Sequence, residues 1–221
     1  MQTVSTLLGE LVKHRRISNS PLIDPAISAV IIMVSASPDP FSCDAAAGPS
    51  RTLATLEQAA AVMGVPVFVL MRCSKQHHSV APPPQSGKRL PRQFLFEEHC
   101  CPWSDAAFVE ALAHEDRSIL LIGGSWLEHH VLGTALHGLA EGYDVFVLLD
   151  ATTPCSEHAA QPARERLAQA GGTPVVASQV IHEWMTQAGD TAQRSALQEL
   201  LSTRMPASAV IERSHVKHPA E

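Results

Sequence analysis

The stretch Ser118–Leu149, SILLIGGSWLEHHVLGTALHGLAEGYDVFVLL, decides the fold. It opens on a solid apolar run, Ser118 to Ile122, turns at Gly123-Gly124, and enters a segment in which Leu127, Val131, Ala135 and Leu139 recur every fourth residue. That spacing is one face of a helix. Gly142 stops the helix, since a residue without a Cβ suits the left-handed cap, and a second apolar run follows from Asp144 to Leu149. Strands apolar on both sides, joined through a helix, form a parallel crossover unit whose faces are both covered.

The same alternation extends outward. Upstream lie a strand over Ser28–Val34, a Ser- and Pro-rich loop over 35–50, a helix over Arg51–Met63 stopped by Gly64, and a strand over Pro66–Arg72. The stretch Cys73–Arg92, with Pro82-Pro83-Pro84, reads as a long surface loop. Gln93–Phe96 then reads as a short strand, and Ser104 as the cap of a helix through Ala113. Downstream come a helix over His158–Ala170, the stop Gly171-Gly172, a strand over Thr173–Ala177, and helices over Val180–Gln187 and Thr191–Met205. The prediction is a three-layer α/β/α domain with a mostly parallel, Rossmann-like sheet over residues 26–205, an N-terminal extension over 1–25 and a polar tail over 206–221.

Composition narrows the function. Charged residues make up 17% of the 221, below the roughly 25% of an average soluble domain, which points to a subunit that covers part of its exterior with copies of itself. The net charge is −6 and no basic run occurs, so nucleic acid is not an expected partner. The longest apolar run, Ala29–Val34, is far too short for a membrane span, and the first 16 residues do not pattern as a signal peptide. Five scattered cysteines, at 43, 73, 100, 101 and 155, read as reduced thiols of a cytoplasmic protein.

In an open parallel sheet the binding crevice lies beyond the carboxyl ends of the strands, so the residues after Val34, Arg72, Phe96, Ile122 and Leu149 carry the candidates. Gly123-Gly124 before a helix suggests a phosphate turn, but the third glycine is missing and Trp126 would crowd a pyrophosphate. No cofactor is expected. Gly124-Ser125-Trp126-Leu127-Glu128-His129-His130-Val131-Leu132-Gly133-Thr134-Ala135, followed by Gly142-Tyr143-Asp144-Val145 and by Ala163 to Gly172, resembles the isochorismatase-like cysteine hydrolases, most closely the YcaC-like branch.

The resemblance implies a catalytic Asp at the end of the first strand, a Lys or Arg after the long loop, and a Cys at the start of the helix after the glycine turn. The helix amino end and the cation would lower the thiol pKa while the carboxylate moves the proton. Carried over, those positions fall on Met33, Phe96 and His130. Glu128 keeps the family's acid two places before the nucleophile, Gly124 keeps the turn, and a cis peptide is implied at Ser125-Trp126. Met33 and Phe96 supply neither proton nor charge, so the expectation is a pseudoenzyme: a homo-oligomeric assembly subunit or a binder of a small-molecule ligand, with Gly124, Ser125, Trp126, Cys100 and Cys101 around its pocket.

The rival is an active hydrolase of a small amide, ester or vinyl ether, rebuilt on His130 with Glu128 or with Cys100 or Cys101. A neutral histidine filling the old thiol's volume is the plainer account of His130, because the helix dipole there disfavours an imidazolium. His99-Cys100-Cys101 and Cys73, His77, His78 hold zinc-type donors without a closed ligand spacing, so buried thiols and loop polarity are the plainer readings and no metal is expected. For Trp103 and Trp126 the choice lies between a pocket roof or interface and core packing.

Overall fold

The computed structural model describes residues 21–35, 47–73, 91–97 and 100–204. Both proposed terminal segments fall largely or wholly outside that range, as do the long loop after Cys73 and His77, His78 and His99. The described residues form six strands and six helices in the order β1 (Ser28–Ser35), α1 (Ala47–Met63), β2 (Val67–Cys73), β3 (Arg92–Glu97), α2 (Ala106–His114), β4 (Ile119–Ser125), α3 (Leu132–Ala140), β5 (Asp144–Thr153), α4 (Glu157–Gln169), β6 (Thr173–Val175), α5 (Ala177–Thr186) and α6 (Thr191–Arg204). The strands form one all-parallel sheet in the order β3-β2-β1-β4-β5-β6. The topological switch point, where a crevice opens in this architecture, lies between β1 and β4.

Alternate residues of each strand feed two separate cores. Ala29, Ile31 and Met33 of β1 join Phe68, Leu70, Leu120 and Ile122 under α2, α3 and α4, with Phe108, Leu112, Val131 and Ala135 from the helices. Val30 and Ile32 join Val69, Leu121 and Leu148 on the opposite face, under Leu56 and Ala60 of α1, Val180 and Trp184 of α5, and Leu197 of α6. Period-two alternation with both sides apolar is what makes the strands read as unbroken hydrophobic runs. The result is the three-layer α/β/α arrangement.

Several boundaries differ from the sequence reading for local reasons. Ser104 does not cap α2. Its hydroxyl donates to the Cys101 carbonyl at 2.6 Å, closing a short 3₁₀ turn over Pro102–Ser104, and the cap is Asp105, whose Oδ1 accepts from Ala107 N and Phe108 N. Helices α1 and α5 begin earlier than predicted, at Ala47 and Ala177, and β6 is only three residues long. Gly123 and Gly124 continue β4 instead of forming a turn. At Gly124 φ is +123°, and a Cβ there would collide with the backbone of Met33, its partner on β1, so only glycine lets the two strands close up. Opposite, β4 advances from Ile122 to Gly124 while β5 advances from Val147 to Thr152, a bulge braced by Thr152 Oγ1 donating to the Leu148 carbonyl at 2.6 Å.

Candidate functional site

The chain leaves β4 through Trp126, whose φ of 67° and ψ of 80° place a bulky side chain in the left-handed region. Such a conformation costs on the order of 1–3 kcal/mol and must be held by its surroundings. Here the Trp126 amide donates to the Thr153 carbonyl at 2.7 Å, and its own carbonyl accepts from His129, His130 and Val131, winding Leu127–Val131 into one π turn ahead of α3. π turns of this kind are frequent at functional sites. The Ser125-Trp126 peptide is trans, so the cis bond implied by the resemblance is absent.

This turn sorts the candidate residues. The rings of Trp126 and His130 stack at 5.5 Å with 26° between their planes, and His129 stands edge-on to Trp126 at 6.2 Å. Glu128 swings toward the next crossover: its Oε1 accepts from Cys155 N at 2.8 Å and Ser156 N at 3.3 Å, at the amino end of α4, while its Oε2 is buried without a hydrogen-bond partner. Glu128 thereby ties down the segment just ahead of α4, near the positive end of that helix's dipole, while the cap itself is Ser156, whose Oγ accepts from Ala159 N at 3.2 Å.

Beneath the turn, Met33 is 2% exposed and Phe96 8%, both in the apolar core that also takes Leu127, Val131 and Trp103. The Thr134 hydroxyl donates to Met33 Sδ at 3.7 Å. Trp103 is a core residue, packed against Tyr143 and Phe108, with its indole N–H on the Thr134 carbonyl at 3.1 Å. Neither Thr134 contact was predictable, because nothing in the sequence links residues 33, 103 and 134.

Cys100 is exposed, and Cys101 is partly buried before the 3₁₀ turn. Burial pushes the Cys101 thiol up, Cys100 adds to the rise, and the Trp103 amide pulls the other way. A thiol held protonated is a poor nucleophile. Among the described residues no group of three or more His, Cys, Asp or Glu could hold a metal ion. Asp150, in the β5 bulge, was not nominated by the sequence. Its Oδ1 accepts from Ala177 N at 2.9 Å and caps α5, where Val176 has no side chain to do so, and burial raises its pKa against the pull of the Ala177 and Ala151 amides.

A concavity lies away from the sheet ends. A groove enclosing 380 Å³ runs along α3 beside α4, bordered by Glu128, His129, His137 and Arg166 and lined between them by Leu132, Gly133, Leu136 and Ala140. The sequence reading nominated no groove here: only the opposite, core-facing stripe of Leu127, Val131 and Ala135 stood out, and Arg166 comes from the next crossover.

A three-layer domain with this strand order and a glycine-lined switch point defines a class, and comparison identifies it. Residues 45–180 match the Isochorismatase domain, and the chain belongs to that family. Within it, the chain is 38% identical over 69 residues to the probable hydrolase YcaC of Escherichia coli (strain K12), a match covering 31% of this chain and 33% of that protein, so about a third of the curated relative's length is spanned. Among solved structures, the YcaC gene product of E. coli, described as an octameric hydrolase of unknown specificity, superposes with a TM-score of 0.62 at 21% identity, over 86% of this chain and 94% of its own. A MAR1 ribonuclease from Caenorhabditis elegans gives 0.65 at 19% identity, over 86% and 97%. YcaC from Pseudomonas aeruginosa, solved with hexane-2,5-diol and covalent acrylamide, gives 0.64 at 20% identity, over 86% and 95%. Among the described residues no helix is long and apolar enough to cross a membrane.

Proposed function

We propose that this chain is a cytoplasmic, homo-oligomeric member of the Isochorismatase family in which residues 26–205 keep the hydrolase frame and the Asp-Lys-Cys chemistry is gone, with Met33, Phe96 and His130 in the triad places. It serves as an assembly subunit or binds a small molecule. The observation that carries this reading is Met33: at the carboxyl end of β1, beside Gly124, stands a thioether 2% exposed in an apolar core, with only a threonine hydroxyl on its sulfur. Such a position can neither take nor give a proton. His130 supports the same reading, since its ring lies stacked on Trp126 and the nearby carboxylate of Glu128 holds the Cys155 and Ser156 amides just ahead of α4.

The octameric state of the E. coli YcaC structure and the low charged fraction of this chain support a homo-oligomer. The rival, a hydrolase rebuilt on His130 with Glu128 or with Cys100 or Cys101, would need a free base or a reactive thiol beside His130. Glu128 is engaged elsewhere and the Cys101 thiol is raised.

The test is turnover of a panel of small amides and esters by the purified protein and by His130→Ala, with iodoacetamide to expose any activated thiol. The expected result is no turnover above buffer in either, and slow alkylation only. Hydrolysis by the wild type that falls by orders of magnitude in His130→Ala would overturn the reading, because losing a working nucleophile or base has an effect of that size.

A further inference from the structure

We propose that Cys100 and Cys101 form a dithiol site for a soft electrophile with two replaceable groups, a trivalent arsenical carrying one organic substituent. The site lies on the segment between β3 and α2, and it does not depend on the fate of the family's hydrolysis. Both cysteines are free, Cys100 exposed and Cys101 partly buried, with no residue between them. Cys101 is held in place: its backbone is extended, its carbonyl accepts from Ser104 N at 3.0 Å and from Ser104 Oγ at 2.6 Å, and its side chain packs on the core that contains Phe96 and Trp103.

Paired thiols have several uses, and the geometry here separates them. The peptide that joins the two residues is trans, which sets their Cα atoms about 3.8 Å apart, closer than the roughly 4.4–6.8 Å of an unstrained disulfide. A structural zinc takes four donors, and among the described residues no group of three or more His, Cys, Asp or Glu could hold a metal ion. Nucleophilic attack needs a thiolate, whereas burial and the charge of Cys100 both keep the proton on Cys101. The remaining use is a centre that needs two sulfurs and no third protein ligand, and that accepts them as thiols.

An arsenical with one organic group meets those conditions. In water its arsenic carries two hydroxyls; two As–O bonds break, two As–S bonds form, and each thiol proton leaves with a departing hydroxide as water. Arsenic stays trivalent, so no oxidant or reductant is consumed. Sulfur is the softer ligand and is favoured over the oxygen it replaces. The exposed Cys100 reacts first. Cys101, near enough for the two sulfurs to sense each other's charge, then closes the ring as an intramolecular step, at an effective concentration that no second molecule matches.

The experiment treats the reduced full chain with phenylarsine oxide and follows the adduct by intact mass while it is challenged with glutathione, a monothiol, or dimercaptopropanol, a dithiol. The expected result is one adduct per chain that survives the monothiol and is stripped by the dithiol. Cys100→Ser and Cys101→Ser, checked for folding by circular dichroism, should each weaken retention on the order of a hundredfold, the usual loss when one of two linked contacts is removed, and Cys155→Ser should leave it unchanged. Cys100 is exposed, so its variant keeps the test valid even if Cys101→Ser fails to fold. A folded Cys100→Ser protein that holds the reagent as tightly as the wild type overturns the site, as does a wild type that forms no adduct or loses it to glutathione. An untreated protein whose Cys100-Cys101 peptide is alkylated only after reduction also overturns it, because the pair would then be a disulfide. None of these results bears on the lost chemistry, which the amide panel tests separately.

Discussion

Two regions of this molecule contrast. At the switch point between β1 and β4, where parallel sheets bind ligands, the strand end carries a buried thioether and the following turn stacks a tryptophan on a histidine. Along α3, where the architecture requires nothing, an apolar stripe is bounded by a carboxylate, two imidazoles and a guanidinium. Ionisable side chains border the groove, whereas Met33 and Phe96 at the strand ends are buried and apolar. A fold therefore locates a crevice, and the side chains alone say whether it is used.

The largest expected effect breaks the comparison at its closed end. Met33→Asp would put a carboxylate in a core that offers only the Thr134 hydroxyl, and burying an unpaired charge costs several kcal/mol, on the order of 3 or more. Urea unfolding at neutral pH should show that loss, partly recovered on acidification as the new group protonates. A loss under about 1 kcal/mol would mean that water reaches the strand end, and the two regions would no longer differ in kind.

A smaller effect belongs to Glu128, which borders both regions. Glu128→Ala removes the acceptor for the Cys155 and Ser156 amides and should cost about 1 kcal/mol, the usual net worth of a hydrogen bond. Hydrogen exchange should quicken at the Cys155 and Ser156 amides, just ahead of α4, and stay unchanged in α5. Glu128→Gln, which keeps the acceptor, should lose less.

The smallest effect is a change of slope at Asp150. Its folded pKa is raised above 3.8, so the native state holds its proton where the unfolded chain has released it. Stability from this group is therefore full below that value and falls as pH climbs toward the raised one. Asp150→Asn keeps an oxygen for the Ala177 amide and removes the titration. Unfolding free energies measured between pH 3 and 7 should decline less steeply in the variant, with little difference at the acid end.

How much of this was legible varies with how local the cause is. The strands announced themselves because both of their faces are buried, and α3 did so through Leu127, Val131 and Ala135, all of which are buried. The Ser104 cap failed because two capping residue types stand side by side, and only the 3₁₀ turn before Asp105 decides which of them starts the helix. The π turn left no periodic trace, since it fits within the first turn of an otherwise regular stripe. At the candidate site, His130 and Glu128 could be nominated from their neighbours in sequence. The destination of the Glu128 carboxylate could not, because it depends on how closely two successive crossovers pack. Asp150 and Arg166 were missed for the same reason: each acts on an element from a different crossover, Asp150 on α5 and Arg166 beside α3.

The collision that a Cβ at position 124 would meet is with main-chain atoms of β1, not with any substrate. A glycine required by the spacing of two strands would be needed whether or not a reaction took place above it. Pattern searches that reward this residue thus register masonry. In a distant relative, the informative positions are the ones whose side chains face the opening, where nothing but chemistry dictates the choice.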